Sequence, residues 1–202
     1  MIRKTIAFSL LLAASATGAA EKDGKPAYPL LDGDCDEYPA LAQSRHRLAE
    51  EVELFLFQDR DYVWLCYTLP ANSFGMADVT IAAPGLAKTL NLHVSAQLGE
   101  WVAGEPDAAP SAPDSPKWWN HRGWSGTTVP FNGASASLDE AGKPKVDYNF
   151  RRTRAREMQL SKTRFGRGEW RWHIDIRNVA DGKGGQRALR FPEAGEFTFK
   201  AD

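Results

Sequence analysis

Seven consecutive residues, Trp118-Trp119-Asn120-His121-Arg122-Gly123-Trp124, bring together three indoles, a carboxamide, an imidazole and a guanidinium. That mixture suits a sugar. The C–H faces of a pyranose stack on aromatic rings, while its hydroxyls need hydrogen-bonding partners. Trp118, Trp119 and Trp124 would supply the platform, and His121 and Arg122 the polar contacts. The other reading of the same residues is a loop that folds its tryptophans onto a core; Trp101 fits either arrangement.

Two further clusters carry charge. Arg152, Arg154 and Arg156 alternate along a basic stretch and would share one side of a strand. Such a stripe suits anionic groups: acidic glycan, a lipid headgroup or a partner's carboxylates. It also reads as a solvated face balanced by Asp147 and Glu157. Asp32, Asp34 and Asp36 place alternate carboxylates in one turn, as calcium loops do. An EF-hand loop would want Gly at its sixth position and Glu at its twelfth, where this chain has Glu37 and Gln43. The alternative is a turn whose aspartates bond to backbone N–H groups. Calcium is thus the one cofactor kept open, and no other is expected.

Catalytic signatures are missing. Gly123-Trp124-Ser125-Gly126-Thr127 lacks the final glycine of a nucleophile elbow, and there is no zinc-protease helix, phosphate loop or dinucleotide fingerprint. A carboxylate pair for glycoside hydrolysis is recognised only in space, so hydrolysis of an envelope polymer ranks last. His93 and His173 fall on polar strand faces and are expected to be solvated.

The elements that must hold these residues read as strands. Val52, Leu54 and Leu56 oppose Phe55 and Phe57; a turn at 58–61 leads to a second strand from Tyr62 to Leu69, making a hairpin. Residues 41–50 read as a short helix or an irregular crossing. Ala77–Ala82 and Thr89–Leu98 form a second pair around Pro84-Gly85. Residues 104–117, with four prolines, are a long loop. Lys145–Leu160 is strand-like and basic. Trp170, Trp172, Ile174 and Ile176 then alternate with Arg171, His173, Asp175 and Arg177, and Phe191–Lys200 closes the chain. Trp64, Trp170 and Trp172 are expected in the core. Many short strands between turn signals predict an all-β, antiparallel sandwich, jelly-roll-like, as a single domain over residues 21–202.

Composition agrees. Seven Trp, ten Phe, 17 Gly and 12 Pro in 202 residues favour strands and turns. An apolar fraction of 43% excludes wholesale disorder, and a net charge of −1 gives no bias towards nucleic acid. Residues 1–20 read as an export signal: Arg3 and Lys4, then an apolar run from Ile6 to Ala14, then small residues up to Ala20. Its removal takes the formal charge from −1 to −3 and leaves no transmembrane segment in the mature chain. The expected address is the periplasm or the exterior. In that compartment the two cysteines, Cys35 and Cys66, are expected to pair; two separate thiols are the other possibility.

Five segments in order resemble the carbohydrate-binding modules of family 9 and the wider DOMON-like group. Leu31-Asp32-Gly33-Asp34-Cys35-Asp36-Glu37-Tyr38 resembles the "DG-x-x-DE-W" opening, with Tyr38 where that pattern has Trp. Asp59-Arg60-Asp61-Tyr62-Val63-Trp64-Leu65-Cys66-Tyr67 is similar to the "D-x-x-LYV" hairpin strand. Arg156-Glu157-Met158-Gln159-Leu160-Ser161 resembles "E-x-x-IP-L/W-S", with Gln159 where that pattern has Pro. Gly168-Glu169-Trp170-Arg171-Trp172-His173-Ile174-Asp175-Ile176 resembles "G-x-x-W-x-F-x-I". The close, Phe191-Pro192-Glu193-Ala194-Gly195-Glu196-Phe197-Thr198-Phe199, resembles "P-x-x-FG-x-L". The resemblance implies a jelly-roll-like sandwich and, in some members, sugar held between aromatic rings with calcium nearby. The reading that follows is an exported, non-catalytic carbohydrate-binding module. The alternative is an envelope protein that meets an acidic partner or lipid headgroup through its arginine-rich strand.

Overall fold

Alternating apolar side chains commit most of the chain to strands, and every ladder between them is antiparallel. The computed structural model describes residues 28–202; the expected export signal lies outside them. The first half holds α1 (Tyr38–Leu41), β1 (Ser44–Ala49), β2 (Val52–Gln58), β3 (Tyr62–Thr68), β4 (Met76–Ala82), β5 (Leu90–Val94) and β6 (Leu98–Val102). After the proline-rich loop come β7 (Trp124–Gly126), β8 (Phe131–Leu138), β9 (Pro144–Phe150), β10 (Ala155–Ser161), α2 (Lys162–Phe165), β11 (Gly168–Ala180), β12 (Gln186–Phe191) and β13 (Phe197–Ala201).

Two sheets form. The first has the order β1-β2-β3-β10-β7, the second β12-β11-β4-β5-β6, and β8 and β9 make a separate hairpin. β13 also pairs with β11, alongside its first half, while β12 pairs with its second half. Period two puts alternate residues of each strand between the sheets. Leu54, Leu56, Leu65 and Met158 of the first sheet meet Val79, Ile81, Leu92, Trp170 and Ile174 of the second in one buried cluster. Each large apolar side chain so buried contributes roughly 1.5–3 kcal/mol. Trp64, Trp170 and Trp172 are buried as expected.

The outer faces of the two sheets differ. Phe55, Trp64 and Cys66 point out of the first sheet and are covered by the segment that carries Cys35 and Tyr38, giving a second apolar cluster. The Cys35–Cys66 disulfide, with Cα atoms 5.9 Å apart, ties that segment down like a strap. The outer face of the second sheet is open, and it carries polar side chains.

Four expectations are corrected. Residues 41–50 are not a crossing: α1 stops at Leu41, and β1 runs beside β2 from Ser44 to Ala49. Thr89–Leu98 is not one strand, because the backbone turns at 95–97, where the Ser95 N–H donates to the Gln97 carbonyl. Lys145–Leu160 splits into β9 and β10, so Arg152, Arg154 and Arg156 form no stripe. Arg156 is fully buried, Arg152 lies 3.4 Å over the Phe74 ring, and Arg154 is an exposed side chain 4.0 Å from Asp34. Phe191–Lys200 is interrupted at residues 192–196, after a cis Phe191–Pro192 bond.

Candidate functional site

The open face of the second sheet forms a cleft of about 730 Å³. Side chains that point away from the core make its floor. Asp78 on β4 sits at the centre: its Oδ1 accepts from Asn91 Nδ2 at 2.8 Å and lies 2.8 Å from His93 Nδ1, both on β5. An ionised carboxylate only accepts, so His93 Nδ1 carries the proton in that bond. Arg177 on β11 pairs with the other oxygen of Asp78. Burial pushes the Asp78 carboxyl up, but the bonds from His93 and Asn91 and the charge of Arg177 outweigh it and hold the group below the usual carboxylate range. Beside this network, Arg190 on β12 donates to both oxygens of Asp175 on β11 at 2.8 Å.

Aromatic rings make the wall. Trp101 on β6 and Trp118, just after the proline-rich loop, line the cleft. Their centroids are 6.4 Å apart and their planes are nearly perpendicular. The His93 ring lies 5.8 Å from Trp101 and 5.2 Å from Trp118. Trp118 is fixed from behind, its indole N–H donating to the Ala112 carbonyl at 2.9 Å. Gly99 lets the indole lie against β6, because a Cβ there would fall 3.0 Å from the Trp118 ring.

The five residues expected to form one platform are dispersed. Trp118 joins the cleft. Trp119 adopts a left-handed backbone, φ 63°, and its ring turns out to solvent with 53% exposure. His121 lies between the Trp119 and Trp124 rings, at 6.5 Å and 5.0 Å. Arg122 is exposed and is held through its backbone: its N–H donates to Glu100 and its carbonyl accepts from Arg164. Trp124 opens β7 and enters the core at 4% exposure, so a surface of three indoles does not form.

Glu100 holds this segment onto the sandwich. It accepts from Trp124 Nε1 at 2.8 Å and from Arg164 Nη2 at 2.7 Å. Burial raises its carboxyl, and the bonds from Arg164 and Trp124 more than compensate, leaving it below the usual range. Gly123, at φ 65°, allows the close pass, since a Cβ there would meet the Arg164 side chain at 2.8 Å.

Sequence reasoning missed Asp78, Asn91, Asp175, Arg177 and Arg190. Their only signal is their place on the polar side of apolar strands, which solvated residues share. His93 was expected to be solvated; it is 7% exposed and bonded to Asp78. His173 is partly buried beside Asp175, and burial, with the nearby Arg190 charge, lowers its pKa.

The acidic turn bonds to its own backbone. Asp32 accepts from the Asp34 N–H at 3.0 Å, and Asp34 accepts from the Cys35 N–H at 2.8 Å. Among the described residues no group of three or more His, Cys, Asp or Glu side chains is arranged to hold a metal ion. No helix among them is long and apolar enough to cross a membrane. No protein family, curated protein or solved structure matches the chain.

Proposed function

We propose that this protein binds neutral carbohydrate without turning it over, in the cleft on the second sheet. One observation carries the reading: two indoles, Trp101 and Trp118, stand beside a hydrogen-bonding floor whose charges cancel. Sugar rings stack on the indoles, and the hydroxyls exchange hydrogen bonds with Asn91, His93 and the paired Asp–Arg groups. An anionic ligand is disfavoured by Asp78 and Asp175, which already occupy Arg177 and Arg190. Hydrolysis would need a carboxyl that holds a proton near neutral pH. Asp78 is held ionised, and both oxygens of Asp175 accept from Arg190. The resemblance to family 9 carbohydrate-binding modules supports the same ligand class. The disulfide suits the oxidising compartment outside the cytosol that the export signal implies.

The test is a glycan panel probed with the disulfide-bonded protein at low and high salt, with and without calcium. Neutral glycans are expected to bind equally at both salt concentrations, because stacking is not screened. Trp118→Ala and Trp101→Ala should each weaken that binding about tenfold. A panel with no neutral ligand, binding only to acidic glycans that fades in salt, or unchanged affinity in both variants overturns the assignment.

A further inference from the structure

The β8–β9 hairpin pairs with neither sheet. Its register puts Phe131, Ala134, Ala136 and Leu138 across from Phe150, Tyr148, Val146 and Pro144, so one side is wholly apolar. Ser135, Ser137, Lys145 and Asp147 share the other side. Between the hairpin and the end of the sandwich runs a groove of about 410 Å³, walled by Val146, Tyr148 and Phe150 on one side and by Phe74, Met76 and Val129 on the other.

Arg156 also lines this groove. Its side chain is fully buried. One terminal nitrogen donates to the Phe74 carbonyl at 2.5 Å, the other to the Thr127 carbonyl at 3.2 Å, and Nε has no partner among the described residues. Among the described residues no carboxylate forms an ion pair with it. Asp147, at the groove's rim, is paired with Lys145 at 2.9 Å. A second cation, Arg152, lies over Phe74. A buried guanidinium without a counter-charge is costly, and a bound anion removes that cost.

We propose that the groove binds an anionic amphiphile of the fatty-carboxylate class, its chain along the apolar hairpin face and its carboxylate against Arg156. The apolar wall demands a hydrocarbon body, and the unpaired guanidinium demands the charge. This site shares no residue with the carbohydrate cleft and stands independently of it.

Titration calorimetry with decanoate, methyl decanoate and decyltrimethylammonium, each below its micellar concentration, tests the proposal. Decanoate is expected to bind at least about tenfold more tightly than the ester or the cation, since each lacks the charge that Arg156 would pair. Arg156→Gln should remove that preference. Because that position is buried, Val146→Asp on the half-exposed hairpin face provides a second variant, expected to weaken decanoate about tenfold and leave glycan binding unchanged. Equal binding of decanoate and its ester, wild-type affinity in Val146→Asp, or no binding of decanoate overturns the site. So does binding to phosphatidylglycerol vesicles without binding of decanoate, which would assign the hairpin to a membrane surface.

Discussion

Arg156 and Glu157 are adjacent on β10, point to opposite faces, and are both fully buried. Glu157 lies under the strap, where its Oε2 accepts from the Gly33 N–H at 2.6 Å and its Oε1 has no partner among the described residues. Burial, helped by the charges of Asp32 and Glu37, pushes its carboxyl up to about 8. The unfolded chain releases that proton near the ordinary glutamate value of about 4.3. Between these two values the folded protein holds more protons than the unfolded one, so this group's contribution to stability falls as pH rises through the window. Glu157→Gln removes that term. Urea midpoints measured from pH 5 to pH 8 should decline more steeply for the wild type than for the variant; parallel curves would refute the burial argument. The sequence marks Glu157 only as one carboxylate in a basic stretch. Alternation tells which residues share a face, and not that this face becomes covered.

The strap shows what a covalent tie adds to an element with few contacts of its own. Tyr38 and Cys35 dock against Phe55, Trp64 and Cys66, and α1 supplies a single turn of helix. Closing a loop of about 31 residues contributes about 3–4 kcal/mol in the chain-entropy account. A Cys35→Ser, Cys66→Ser double variant should lose stability of that order in chemical denaturation, and Trp64 fluorescence should report partial solvation; an unchanged midpoint would sink this account. Strands were the most legible elements, because Val52–Leu56, Ala77–Ala82 and Trp170–Ile176 alternate cleanly and the observed ladders use that alternation. Breaks were less legible. Ser95-Ala96-Gln97 contains no Gly or Pro, and the basic residues at 151–154 carry an alternating pattern straight across the end of one sheet and the start of another. Pro192 did give a signal, since β12 ends at Phe191 immediately before it.

In the whole molecule, one sheet is covered and the other is open, which is why the cleft has its address. Its walls and floor come from β4, β5, β6, β11, β12 and the residues before β7, elements scattered over about a hundred positions. A local cluster such as Trp118–Trp124 is visible along the chain. A constellation of one residue per strand is visible only once the strands are ordered. The order of the strands also determines where their unpaired backbone lies. β7 is only three residues long, β1 presents Arg45 and Arg47 and loses register before Ala49, and the β12–β13 border is broken at residues 192–196. β6 gives its Leu98 carbonyl to the Trp119 N–H. Each of these devices denies a neighbouring chain a template for strand addition. Along β9 the charges of Lys145 and Asp147 are paired with each other, on the face opposite the exposed Val146 and Tyr148. Self-association at high concentration should therefore begin at β9, and Val146→Lys should suppress the light scattering of concentrated solutions while leaving the unfolding free energy within about 0.5 kcal/mol of wild type. The surface that makes room for an apolar guest is the same one on which copies of this chain would nucleate a fibre.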